Sequence, residues 1–313
     1  MIKTNRRTIL ALLGSSALSA CAAPAIVSRD ATDPFEGGIG GTGIIGPLTD
    51  FGSLIVNGLR VEVTSRTRVF TAFGPVDETA LAPGQSLTVY ATRSRDALVA
   101  RRVQIDHALI GTLTRTAEGL SVNGVPIVID RDAPAKAVPG QRVAVSGTWA
   151  PDRLVVDRID PGPDGPDVIA GTLIRSRQSG LLVAGATLSG NLSGNRPGQY
   201  TTVFGTGTAS GLDVTKLETG RFKGVSDLRQ LSVEGYLEPI DANPGYRIAG
   251  LGHSFARDLR LAPLADQRAV YFGRYTGLFR AQLGYVVPED YIRRRALLRK
   301  GYDHGFDGQV LRL

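Results

Sequence analysis

Gly38-x-Gly40-x-x-Gly43, inside GGIGGTGIIG (37–46), has the glycine spacing that cradles a pyrophosphate in dinucleotide-binding enzymes. That chemistry needs a strand before the glycines and a helix after them, whose N-terminus meets the phosphates. Here ATDPFE (31–36) precedes the glycines, and Pro47 and the Asn57-Gly58 pair follow. The stretch therefore reads as a glycine-rich entry into a strand, and no cofactor is expected. Other reactive side chains are sparse. The histidines are His107, His253 and His304, far apart in sequence. Asp303-His304-x-x-Asp307 has the residue types for one edge of a metal site, but Gly301, Gly305 and Gly308 make it read as a tail. Asp157, Asp160, Asp164 and Asp167 offer oxygen ligands, yet their spacing does not fit a calcium loop and prolines stiffen it. A solvated acidic linker explains the same residues. There is no G-x-S-x-G elbow, and the one thiol, Cys21, lies near the N-terminus. Neither catalysis nor a metal is expected.

The elements that must position these residues begin after an export signal. Lys3, Arg6 and Arg7 precede a short, mostly apolar stretch, too short for a permanent membrane span. Leu18-Ser19-Ala20-Cys21 resembles the lipobox of bacterial lipoproteins, which implies cleavage before Cys21 and acylation of its thiol. A lone cysteine in an exported chain has no disulfide partner within it, which agrees with that use. Asn5-Arg6-Arg7-Thr8 resembles the twin-arginine export motif with Asn in the leading position, and both that route and the general one stay open. Loss of the leader leaves 33 of the 36 basic side chains against 29 acidic ones, a small excess that does not call for nucleic acid. Residues 21–37 read as a tether. The expected location is the periplasmic face of the cell envelope, with the outer membrane favoured over the inner.

The rest of the chain repeats. Gly46-Pro-Leu-Thr, Gly111-Thr-Leu-Thr and Gly171-Thr-Leu-Ile each open a unit. GSLIVNG (52–58), GLSVNG (119–124) and GLLVAG (180–185) follow as hairpin signals. APGQSLTVYAT (82–92), VPGQRVAVSGT (138–148) and RPGQYTTVFGT (196–206) read as a turn leading into a strand. ALVARRVQID (97–106), RLVVDRID (153–160) and GLDVTKLET (211–219) close the units. A degraded fourth copy spans 223–287, where Gln267 stands in the place of Gln85, Gln141 and Gln199; the steps between these glutamines are 56, 58 and 68 residues. The glutamines are expected to hydrogen-bond turn to strand. The units are taken as 38–108, 109–160, 168–222 and 223–287, with DPGPDGPD supplying a linker over 161–167.

No helical period with caps appears before residue 288. The expected fold is all-β: about four small OB-like or barrel-like units in tandem, or a strand-sharing array in which none folds alone. Pro288-Glu289-Asp290 then starts a short basic helix. Its Arg293, Arg294, Arg295, Arg299 and Lys300 offer a contact for an anionic surface, or simply a solubilising face.

The GIGGTG entry, G-x-L openings, VNG turns and PGQ-x-x-x-V strands resemble a bacterial family of exported proteins catalogued as domain of unknown function 5666. The resemblance covers residues 38 to about 220 well and 231–287 weakly, and it implies tandem β units without an activity. The expected function is non-enzymatic: a lipid-anchored envelope protein that binds an envelope protein or a glycan, or that serves as a spacer or assembly factor. A hydrolase acting on envelope polymer is the less favoured reading, because four related units multiply binding surface more readily than they build one asymmetric cleft.

Overall fold

Asn57 and Gly58 lie at φ 54° and 76°, and Asn123 and Gly124 at 51° and 74°. These are the mirror-image turns whose twist suits a β-hairpin. Ala184-Gly185 adopts the same turn at 53° and 80°, at some steric cost for alanine. The computed structural model describes residues 40–300, except 95–96, 191, 193–195, 241–244, 253–263 and 265, together with 310–312.

The first unit contains β1 (Gly41–Asp50), β2 (Leu54–Val56), β3 (Leu59–Glu62), β4 (Arg68–Thr71), β5 (Gly74–Val76), β6 (Ser86–Ser94) and β7 (Ala97–Asp106). Five of these close a ring in the order β1-β2-β3-β7-β6-β1, with β3 and β7 parallel. The second unit, β8 (Leu109–Thr116), β9 (Gly119–Val122), β10 (Val125–Ile129), β11 (Arg142–Trp149) and β12 (Leu154–Pro161), closes in the same order. So does the third, β13 (Asp167–Ser176), β14 (Gly180–Val183), β15 (Ala186–Gly190), β16 (Tyr200–Thr208) and β17 (Gly211–Thr219). This is the strand order of an OB-like barrel, in which closure removes free edges. The β4–β5 hairpin, attached beside β7, is an addition that the other two barrels lack among the described residues.

The repeated PGQ turn clips each barrel shut. Gly84 donates its N–H to Leu48 O and Leu48 N–H donates to Gln85 O, both at 2.8 Å; Gly140, Leu113 and Gln141 repeat the exchange, as do Gly198, Leu173 and Gln199. Gly84 sits at φ 90°, which a side chain would strain. The Gln85 side chain serves the turn as expected: its Oε1 accepts from Ala82 N–H at 2.8 Å, and its Nε2 donates to Ala80 O at 3.1 Å. Gln141 Oε1 likewise accepts from Val138 N–H at 3.0 Å.

The fourth unit comprises β18 (Leu228–Ile240), β19 (Gly245–Ile248), β20 (Arg268–Tyr275) and β21 (Phe279–Val286), with β22 (Val310–Arg312) added at its edge. Among the described residues it forms an open sheet, β19-β18-β20-β21-β22. It does not stand alone. β18 runs parallel to β1, so the first and fourth units share one sheet, while β8 pairs with β13 and joins the second and third. The core follows the same division. Val270, Phe272 and Tyr285 pack into the core of barrel 1, and barrels 2 and 3 share another. The result is two lobes, with the chain leaving the first lobe after β7 and returning at β18.

The one α-helix among the described residues, α1 (Tyr291–Lys300), begins where Asp290 accepts the N–H of Arg293 at 2.7 Å. Tyr291, Arg294 and Leu298 share its buried face. The expectation that all five basic residues face outward is corrected here. Arg294 is only 2% exposed, Arg299 pairs with Asp50 at 2.5 Å, and Arg295 donates to Thr49 O at 2.8 Å. Arg293, Arg299 and Lys300 remain exposed. No helix among the described residues is long and apolar enough to cross a membrane.

Candidate functional site in the seam between lobes

Of the residues that follow a repeated glutamine, Ser86 and Arg268 reach across where the lobes meet, while Arg142 stays within the second lobe. Ser86 Oγ donates to Gly147 O at 3.2 Å. Arg142 donates from Nε to Pro163 O at 2.8 Å and from Nη2 to the carbonyls of Gly165 and Pro166, and it pairs with Asp167. The proline-rich stretch is thus folded around one guanidinium and does not act as an open linker. Tyr200 and Arg268 take the same position in the third and fourth units, and each enters a buried ionic cluster.

The first cluster joins the second unit, the fourth unit and the helix. Arg268, fully buried, donates to Glu234 Oε1 at 2.6 Å, Thr148 Oγ1 at 2.8 Å and Asp157 Oδ2 at 2.9 Å. Arg294 completes it through Asp157 Oδ1 at 2.7 Å. Two carboxylates thus meet two guanidiniums at a site closed to water, where an imbalance of one charge is costly. Although burial alone pushes the Asp157 carboxyl up, the two arginines and Thr148 hold it below the usual carboxylate value, and the carboxylates raise Arg268. Asp157 is therefore spent on structure. Asp160 pairs with Arg158 at 2.6 Å and Asp167 with Arg142, so the solvated acidic linker expected of these residues is corrected: of the four, Asp164 alone is exposed. Among the described residues no cluster of histidines, cysteines and carboxylates could hold a metal.

The second cluster ties barrel 1 to barrel 3. Arg221 donates to Asp106 Oδ2 at 2.5 Å and Thr88 Oγ1 at 2.6 Å, and its guanidinium lies 3.9 Å from the centroid of the Tyr200 ring. Burial pushes the Tyr200 phenol up to about 12. Beside this cluster a cleft of about 220 Å³ opens, lined by Phe70, Arg102, Gln104, His107, Thr202 and Lys223 among others. Its wall comes from the β4–β5 hairpin, whose Phe73 meets Phe204 of barrel 3 edge to face at 6.2 Å. His107 Nδ1 is buried there without a hydrogen-bond partner. Burial holds this imidazole below its usual value, against the pull of Asp160 and Asp106. No hydroxyl among the described residues hydrogen-bonds to it.

Trp149 marks the middle of the seam. In barrels 1 and 2 the turn asparagine donates to the carbonyl before the G-x-L glycine: Asn57 to Ile45 O at 3.0 Å, Asn123 to Ile110 O at 2.9 Å. Barrel 3 has Ala184 there, and Trp149 Nε1 donates to Ala170 O at 3.0 Å instead. The side chain that covers this carbonyl comes from the neighbouring barrel.

Residues 42–104 match the family model described as Domain of unknown function (DUF5666). That match spans barrel 1 almost from end to end, including the added hairpin. Neither a curated protein nor a solved structure matched the chain.

Of the residues singled out from sequence, Cys21, His253, Asp303, His304 and Asp307 lie outside the described residues. Arg268, Glu234, Arg221 and Trp149 were not singled out, although one signal was available. Aligning the PGQ strands places Ser86, Arg142, Tyr200 and Arg268 at one position, and three of the four are large polar or charged residues on otherwise apolar strands. The helix also carried a signal, since Tyr291, Arg294 and Leu298 fall on one face by spacing.

Proposed function

We propose that the chain is a lipid-anchored protein of the bacterial cell envelope that binds or scaffolds without catalysis. Cys21 carries the lipid, residues 21–37 form the tether, and the β body faces the periplasm. The observation that carries the non-enzymatic part is the state of the seam's polar groups. Asp106, Asp157, Glu234, Arg221, Arg268 and Arg294 are committed to fixed ion pairs, and His107 touches no nucleophile among the described residues. Such groups hold surfaces in place, whereas general acid–base work needs a group free to exchange its proton near neutral pH. The anchoring part rests on Lys3, Arg6, Arg7 and the Leu18–Cys21 stretch. Intact-mass spectra of the wild type and Cys21→Ser test it: the wild type carries acyl mass that the variant lacks, and equal masses apart from the substitution overturn the anchor. Crosslinking in intact cells followed by pulldown tests the binding role. It succeeds with a specific envelope protein or glycan and fails if only the body's own fragments are recovered.

A further inference from the structure

The cleft between barrels 1 and 3 contains a guanidinium that the fold itself does not use. Every other described arginine that is buried or half-buried has a carboxylate partner, from Arg268 at the centre to Arg295 on the helix. Arg102 is half-buried, yet among the described residues it has neither a carboxylate nor a hydrogen-bond acceptor for its side chain. What it has is the Phe70 ring, 4.2 Å from the guanidinium carbon. Stacking on a ring face holds the guanidinium plane and leaves its in-plane N–H groups free, the arrangement that receives a carboxylate through two parallel hydrogen bonds.

The surroundings narrow the ligand further. Lys223 adds a second cation, which is held by Glu218 at 2.5 Å, and the Arg221–Asp106 pair is internally neutral. Glu218 is shared with Lys216 at 2.6 Å, so with Arg102 and Lys223 the cleft carries a net positive charge. Thr202 and the Gln104 amide, one N–H of which goes to Ile105 O at 3.3 Å, line the cleft with polar groups, and Phe204 adds an apolar side chain; the Thr71 hydroxyl is taken up within its own hairpin by Phe73 N–H and Gly74 O. At about 220 Å³ the space falls below the roughly 300–1,000 Å³ of drug-sized pockets, and suits one small ring. The wall is the β4–β5 hairpin, the element that breaks the likeness among the three closed barrels. A single asymmetric site is therefore compatible with a repeated scaffold.

We propose that this cleft binds a carboxylated sugar ring, with Arg102 gripping the carboxylate in a fork while Gln104 and Thr202 meet the hydroxyls. The proposal deepens the reading of the chain as a binding protein. It does not depend on the lipid: loss of acylation at Cys21 would remove the envelope anchor and leave this site intact.

Titration of the purified full-length chain with D-glucuronate, D-glucose and acetate, followed by ligand-observed NMR, tests the proposal. Glucuronate is expected to bind at least tenfold more tightly than either glucose or acetate, and more weakly as salt is raised. Arg102→Gln is expected to lose at least tenfold, Arg102→Lys to keep part of the affinity, and the exposed Arg115→Gln on barrel 2 to bind as the wild type. A thermal melt of each variant separates unfolding from lost contact. Glucose binding equal to glucuronate, acetate competing as well as glucuronate, an unaffected Arg102→Gln or no binding by the wild type would each overturn the proposal.

Discussion

Replacing Arg268 with methionine isolates the cost of charge imbalance at the seam. The side chain is fully buried and meets Glu234 at 2.6 Å, Thr148 at 2.8 Å and Asp157 at 2.9 Å. Without it, the two carboxylates face only Arg294, so one negative charge is left uncompensated at a site sealed from water. Breaking a buried pair on one side costs about 3–5 kcal/mol. An independent route gives a similar figure: protonating one carboxylate at pH 7, about three pH units above its usual value, costs about 4 kcal/mol. With a urea m-value of about 3 kcal/mol per molar, the unfolding midpoint should fall by about 1–1.7 M. The deficit should shrink as pH falls from 7 to 5, because proton uptake by the orphaned carboxylate relieves it. Arg268→Met combined with Glu234→Gln leaves one carboxylate and one guanidinium, and should regain most of the loss. Urea titrations of the three proteins at pH 5 and 7 read all of this. A single variant within about 0.5 kcal/mol of the wild type, or a double variant no better than the single, would refute the reasoning.

Three further outcomes are expected. Burial lowers His107, so the unfolded chain takes the proton first, and the stability it contributes is present above about pH 6.5 and lost as pH falls; His107→Gln should flatten the slope of urea midpoint against pH between 7 and 5, and an unchanged slope contradicts this. A Cβ on Gly46 would lie 2.0 Å from Asn57 Oδ1 and one on Gly111 2.3 Å from Asn123 Oδ1, whereas one on Gly171 meets Val183 Cγ1 at 3.2 Å. Alanine at the first two positions should therefore cost about 1–3 kcal/mol and clearly more than at the third, as read by thermal melts; equal costs contradict the role given to the turn asparagines. Arg294→Ala leaves Asp157 with Arg268 alone and should loosen α1, seen as faster amide hydrogen exchange in residues 291–300 with slower effects in β14 and β15; uniform exchange across the chain would oppose this.

Local chemistry was well written in the sequence. The strand ALVARRVQID coincides with β7, GLDVTKLET coincides with β17, and the Asn-Gly pairs take the turn their residue types favour. These features depend on neighbours a few residues apart, and alternation or positive φ reveals them directly. The pairing of units was not legible. That β18 joins β1, and that β13 joins β8, is decided by edges whose residues look alike in all four copies. Arg294 shows the same limit at one residue. Among five basic side chains in ten, a charge run reads as solvated, and only the acids supplied by Asp157 and Glu234, 137 and 60 positions earlier, make its burial tolerable. The cleft is hidden for the same reason, because Arg102 and Lys223 meet only after barrels 1 and 3 have docked.

The units act as one body whose lobes are locked through a buried ionic seam, and not as beads on a string. Differential scanning calorimetry of the full-length chain tests it most directly. One transition is predicted, with calorimetric and van't Hoff enthalpies equal within error. Separate transitions, or a calorimetric enthalpy well above the van't Hoff value, would mean that the lobes unfold independently and would contradict the account.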